Sequence, residues 1–142
     1  MKSVVVTFAA IVVATAAPVS RAETTWKPVE GKLITRWAKD ASPDHPLPEY
    51  PRPQLVRDQW MNLNGLWEFD IAKPAQGPPI GKSLSKKILV PFAVESSLSG
   101  LAEKAQEVWY RKTVNLDEWI KRNDRVRLHF GAVDWETRVW VN

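Results

Sequence analysis

Asp134 and Glu136 are the first residues in this chain to weigh for chemistry. They lie two apart around Trp135. On a strand, residues i and i+2 share a face and sit roughly 6.6 Å apart at Cα. Carboxylates paired at such spacing can work as acid and nucleophile on a glycosidic bond. That mechanism wants the two side chains on opposite sides of the scissile bond, whereas neighbours on one strand approach from the same side. The pair is therefore read as structural. Gly131-Ala132-Val133-Asp134 reads as a turn in which the Asp134 carboxylate accepts from nearby backbone N–H groups. Nucleophilic catalysis has little support. There is no Cys, no Ser in a G-x-S-x-G elbow, and the two His are isolated in sequence. His45 lies in a Pro-rich stretch and His129 in a strand pattern, where it reads as a half-exposed sheet residue. A metal at either would need several carboxylates to converge on it. No glycine-rich phosphate loop is present. The residues thus assign no catalytic group, no metal ligand and no cofactor, and they leave substrate contacts open.

The N-terminus has a different use. Met1-Lys2 is a short positive region, Val4 to Ala17 is apolar and uncharged, and Ser20-Arg21-Ala22 puts small residues at −3 and −1 of a cleavage site. This is the layout of a secretory signal peptide. The apolar run falls short of the roughly 20 residues of a membrane span. Cleavage is expected after Ala22, giving a secreted or periplasmic protein that is free of the membrane. Without Cys, it cannot use disulfides, and packing must supply its stability. The full chain carries 20 Lys+Arg against 16 Asp+Glu. Two of those cations, Lys2 and Arg21, leave with the peptide. The remaining charge is nearly balanced and scattered, which is no nucleic-acid footprint.

Residues 23–53 read as a Pro-rich arm. Pro28, Pro43, Pro46, Pro48, Pro51 and Pro53 break regular ladders and helices. Two apolar clusters interrupt it, Trp26 and Leu33-Ile34-Thr35-Arg36-Trp37, and each is expected to anchor the arm on another surface.

From residue 54 the pattern becomes short strands between turns. Asn62-Leu63-Asn64-Gly65 is a turn signal. Leu66 to Ile71 then alternates, with Trp67, Phe69 and Ile71 on one face. Pro74 to Gly81 is a loop. Ile88-Leu89-Val90 is a short strand closed by Pro91, and 96–106 is a loop with at most a helical turn. A strand is expected over 107–116, with Val108, Tyr110 and Val114 on one side. Residues 117–124 read as a connection. The clearest alternation is Arg125 to Phe130, with Val126, Leu128 and Phe130 pointing one way. A last strand pattern runs from Glu136 to Asn142. The core is expected to bury Trp67, Phe69, Val126, Leu128 and Phe130. Many short strands with turn signals between them argue for an all-β, antiparallel β-sandwich or jelly roll. The chain stops within its last strand pattern, so the sandwich is expected to be incomplete at the C-terminus and the chain to be a piece of a longer protein.

The chain has eight Trp, which is many for its length. Most read as core, since Trp buries a large area with one polar N–H. Exposed Trp rings also stack on sugars, so an exported, Trp-rich β-sandwich points toward carbohydrate.

Particular residues sharpen this. Tyr50-Pro51-Arg52-Pro53-Gln54, followed by Trp60-Met61-Asn62-Leu63-Asn64-Gly65-Leu66-Trp67-Glu68-Phe69, resembles the opening of family 2 glycoside hydrolases. These include β-galactosidases, β-glucuronidases and β-mannosidases. Val90-Pro91-Phe92-Ala93-Val94-Glu95-Ser96 looks like that family's VPF-x-x-ES segment, and Val108-Trp109-Tyr110-Arg111-Lys112 looks like its WYRR strand. Leu128-His129-Phe130-Gly131-Ala132-Val133-Asp134-Trp135 and Val139-Trp140-Val141-Asn142 look like its L-x-F-x-x-V-D and VWVNG blocks. The blocks fall in family order across 50–142, and the arm from Trp26 to Glu49 resembles the lead-in of a secreted bacterial subgroup.

The resemblance implies that 54–142 is part of an N-terminal sugar-binding jelly-roll domain, galactose-binding-domain-like in fold. An immunoglobulin-like domain and a TIM barrel would follow, the barrel carrying two catalytic glutamates about 5–5.5 Å apart. No residue here matches those glutamates, so none inherits a catalytic role. Glu95 and Arg111 match blocks in which they are structural, Arg111 pairing or stacking within the sandwich. The implied parent is a secreted retaining glycosidase hydrolysing terminal O-glycosidic bonds. Its partners would be a carbohydrate substrate and the later domains of the same chain, and the fragment alone would be inactive. The alternatives are a stand-alone carbohydrate-binding module and a non-functional remnant.

Overall fold

The computed structural model describes residues 26–46, 59–74, 77–116 and 125–141. The expected signal peptide, residues 47–58 of the arm and domain start, and the 117–124 connection lie outside them. The described residues are β-rich, with no α-helix among them. Strands β1 (Gly65–Ile71), β2 (Lys86–Val90) and β3 (Val108–Arg111) form one antiparallel sheet in the order β2-β1-β3.

The alternation in Leu66 to Ile71 explains why β1 takes the centre. Its inward row is apolar and its outward row carries acids that both neighbours can answer. Trp67 sits opposite Ile88, Phe69 opposite Tyr110 and Ile71 opposite Val108. Directly opposed residues share a face, so Trp67, Phe69, Ile88, Val108 and Tyr110 line one side of the sheet. There Phe69, Ile88 and Val94 form the buried cluster, with Trp67, Val90, Leu101 and Val108 packed around it. The Tyr110 ring stands edge-on to Phe69 at 5.4 Å and to Trp67 at 6.4 Å. The Trp67 indole N–H donates to the Leu63 carbonyl at 2.7 Å, which satisfies its one polar atom. Ile71, at the strand end, stays exposed.

β3 is shorter than the 107–116 strand the sequence suggests. Its ladder with β1 runs only from Ile71↔Val108 to Glu68↔Arg111. Past Arg111, the Lys112 ammonium reaches the Asn64 and Leu66 carbonyls at 3.4 and 3.5 Å and lies over the Trp67 ring. Burial holds the Lys112 ammonium below the ordinary lysine range.

The arm docks at two places. Val29 is tied to Ser97 through both main-chain groups. Its N–H donates to the Ser97 carbonyl at 3.0 Å, and the Ser97 hydroxyl donates to the Val29 carbonyl at 2.7 Å. Beside this clasp the edge of the Trp26 indole covers Gly100. A Cβ on Gly100 would stand 2.8 Å from Trp26 Cδ1, and Gly100 also has φ +85, so only glycine fits there. Further on, the Asn64 side-chain amide donates to the Pro46 carbonyl at 3.0 Å. Between the two docking points a 3₁₀ turn, Arg36–Asp40, buries only Ala38. Trp26 therefore finds its surface within this domain, while Leu33, Ile34 and Trp37 remain exposed. The Arg36 guanidinium covers the Trp37 ring at 4.5 Å.

Among the described residues no strand forms at Arg125 to Phe130 or from Glu136 to Val141. Residues 125–141 have no ladder partner among the described residues, and every one is exposed. Val126 (57%), Leu128 (49%) and Phe130 (51%) face solvent rather than the core. The physical reason is that alternation selects which residues share a face, whereas a strand exists only through a neighbour's hydrogen bonds. The segment instead touches the body through the opposite rows. His129 stacks tilted on Trp60 at 5.3 Å, and Trp140 meets Trp109 edge-on at 5.6 Å.

Candidate functional site

The chemistry-bearing residues singled out from sequence are not brought together. His45 is exposed on the arm, and His129 lies on the exposed 125–141 segment rather than in a sheet. Glu136 is bound by Arg138, two residues on, at 2.8 Å. No group of three His, Cys, Asp or Glu that could hold a metal ion occurs among the described residues. Glu95 is exposed at the start of the 96–103 loop. Its charge, secondary to burial, helps push the Tyr110 hydroxyl above the ordinary tyrosine range. Arg111 does pair, and its partner is Glu68.

Glu68 is the hub of the sheet's outer face. The register puts it directly opposite Lys87 on β2 and Arg111 on β3. Its Oε2 accepts from Arg111 Nη1 at 2.8 Å and from the Leu84 N–H at 3.1 Å, and its Oε1 lies 3.4 Å from Lys87 Nζ. The Arg111 bond is the main cause holding its carboxyl below the usual range. Burial opposes this, and the Leu84 amide and Lys87 add to it. A carboxylate held so firmly by two cations is a poor base, and its role is to clamp three strands together. A carboxyl with a depressed folded-state pKa stabilises the fold above its unfolded value, and that contribution is lost as pH falls through the folded value. Glu68→Gln should therefore cost about 1–2 kcal/mol at pH 7 and flatten the acid limb of stability below about pH 4.5. Urea unfolding at pH 7 and at pH 3 checks this, the gap between variant and parent narrowing at the lower pH.

One step along the same face lies an open groove of about 350 Å3. Trp109 on β3 stands opposite Asp70 on β1. Ser85, just before β2, closes on Asp70. Its N–H donates to Asp70 Oδ2 at 3.0 Å and its hydroxyl donates to Oδ1. Ile71, Lys73, Pro79 and Leu84 complete the lining. The indole N–H of Trp109 is buried and finds no acceptor among the described residues, and Trp140 braces the ring from outside. Trp109, Asp70, Ser85 and Lys73 thus line a single concavity. It can hold a small polar ligand with a flat apolar side, and Asp70 is the one carboxylate among its described lining residues. The sequence reading placed Trp109 in a strand block but did not single out Asp70, Lys73 or Ser85. The signal that joins Asp70 to Trp109 is strand register, which appears only once the pairing is known.

No family model matches the chain, and no curated protein matches it. No helix among the described residues is long and apolar enough to cross a membrane.

Proposed function

We propose that this chain is the N-terminal sugar-binding domain of a secreted retaining glycoside hydrolase of the family 2 type. In this reading its sheet is half of a jelly-roll sandwich, and the 125–141 segment supplies further strands when the rest of the sandwich is present. The parent cleaves terminal O-glycosidic bonds in carbohydrates through two glutamates on a later barrel domain, about 5–5.5 Å apart. The chain is exported and cut after Ala22.

The observation that carries this reading is where the family-like blocks fall. The segment from Trp60 to Phe69 leads into and builds β1. The Val90 to Ser96 block ends β2 and opens the loop that caps the core. The Val108 to Lys112 block is β3 and its exit. Blocks far apart in sequence are thus the three hydrogen-bonded neighbours of one sheet, with their apolar residues in one cluster. These three blocks support the reading, while the two later blocks lie on the exposed 125–141 segment.

The test is an activity comparison. The full-length gene product is assayed on p-nitrophenyl β-galactoside, β-glucuronide and β-mannoside, beside the 142-residue chain. Turnover of at least one glycoside by the full-length product with retention at the anomeric carbon, and none by the 142-residue chain, is the expected result. A full-length product without a barrel, or one inert on all three, overturns the reading.

A further inference from the structure

We infer that the groove between Asp70, Lys73, Ser85 and Trp109 is a binding subsite for a neutral hexopyranoside, separate from any bond-cleaving centre. This rests on the carbohydrate reading above and names a place and a ligand class for it.

A pyranoside ring has a face of C–H groups and a rim of hydroxyls that each donate and accept. A site for one needs an aromatic surface and mixed donors and acceptors at its margin. The groove has both. Trp109 supplies the ring, with Trp140 edge-on to it at 5.6 Å. Asp70 is oriented by two bonds from Ser85, one from the N–H at 3.0 Å and one from the hydroxyl. Each carboxylate oxygen keeps a lone pair for a ligand hydroxyl, and the Ser85 oxygen, its proton committed to Asp70, is left as an acceptor. Lys73 adds a donor, and no described carboxylate pairs with it.

Charge selects among sugars. Asp70 and Lys73 both line the groove, so its formal charge sums to zero and an anionic sugar gains no net attraction over a neutral one. Leu84 and Ile71 also line the groove and add apolar surface for the C–H edge of a pyranose. The volume of about 350 Å3 lies within the roughly 300–1,000 Å3 of small-ligand clefts. The opening is wide, so contact is limited and affinity is expected in the millimolar range, the level of a shallow subsite.

The experiment is saturation-transfer NMR and calorimetric titration of the 142-residue chain with methyl β-D-galactopyranoside, methyl β-D-glucopyranoside and methyl β-D-mannopyranoside. Methyl β-D-glucuronide serves as the charged comparison. At least one neutral glycoside should bind at millimolar concentration, more tightly than the glucuronide. Trp109→Ala should abolish the signal. Since Trp109 is half-buried and its loss could unfold β3, Lys73→Ala is the second variant. Lys73 is exposed and outside any strand, so its far-UV circular dichroism should match the parent while binding weakens about fivefold. No binding of any neutral glycoside overturns the assignment, as does binding that Lys73→Ala leaves unchanged or that favours the glucuronide. A full-length product active on aryl glycosides whose first domain binds nothing would refute the groove and leave the enzyme reading standing.

Discussion

Phe69→Ala is expected to destabilise the chain by about 3–5 kcal/mol, enough to erase cooperative unfolding. Small domains hold about 5–15 kcal/mol in total, and this core has little to spare. Phe69 is fully buried on the central strand, and it packs with Ile88 and Val94 at the middle of the cluster. Tyr110 rests edge-on against it from β3. Truncation thus opens a cavity between Ile88 of β2 and Tyr110 of β3 on the central strand itself. Urea titration followed by tryptophan fluorescence and far-UV circular dichroism should show a shallow, early transition. Leu33→Ala, at a position 99% exposed on the arm, should stay within about 0.5 kcal/mol of the parent. If Phe69→Ala unfolds at the parent midpoint, the side chain is not in the core and β1 is displaced by one residue.

The contrast between β1 and the 125–141 segment shows what a single sequence can carry. Both alternate cleanly. In β1 the alternation met two strands with matching rows, Ile88 and Val90 on one side, Val108 and Tyr110 on the other, and the inward face closed. In Arg125 to Phe130 the same period met no ladder among the described residues, so Val126, Leu128 and Phe130 stayed in solvent. Periodicity is local information and burial is not. The second arm cluster failed for the same reason. Trp26 and Trp37 look alike in sequence, but only Trp26 lies next to a surface that lacks a side chain, at Gly100.

The groove was illegible for a related reason. Asp70 and Ser85 are fifteen residues apart, and Trp109 is further still. No spacing rule joins them, since the pairing Asp70↔Trp109 follows from the β1–β3 register. Arg111 was readable as a residue that pairs within the fold, while its partner Glu68 was not. Glu68 looked like one outward acid on an alternating strand, and its hub position depends on being central.

Ser99→Ala is expected to cost about 2–3 kcal/mol, more than its single missing oxygen suggests. Ser99 is fully buried in the loop after β2, in a short 3₁₀ turn, Ser97–Ser99. Its hydroxyl lies 2.8 Å from the Ser96 carbonyl and 3.0 Å from the Val94 carbonyl, and it accepts from the amides of Leu101 at 3.0 Å and Ala102 at 3.2 Å. One proton serves one carbonyl at a time while two lone pairs serve both amides, so the group is used to capacity. Alanine fits the space but strands two N–H donors, in a loop where Ala102 already holds φ +51, a left-handed conformation costing about 1 kcal/mol for a residue with a Cβ. The loss should spread, because this loop connects otherwise separate parts. Glu103 binds Lys86 of β2 at 2.6 Å, and Ser97 holds the arm through Val29. Ser97→Ala makes the useful comparison: it removes one donor from one carbonyl and should cost about 1 kcal/mol. Denaturant midpoints for the two variants decide the point, and hydrogen exchange at the Leu101 and Ala102 amides should accelerate in Ser99→Ala alone. Equal losses in both variants would mean that the arm clasp, rather than the saturated hydroxyl, holds the loop.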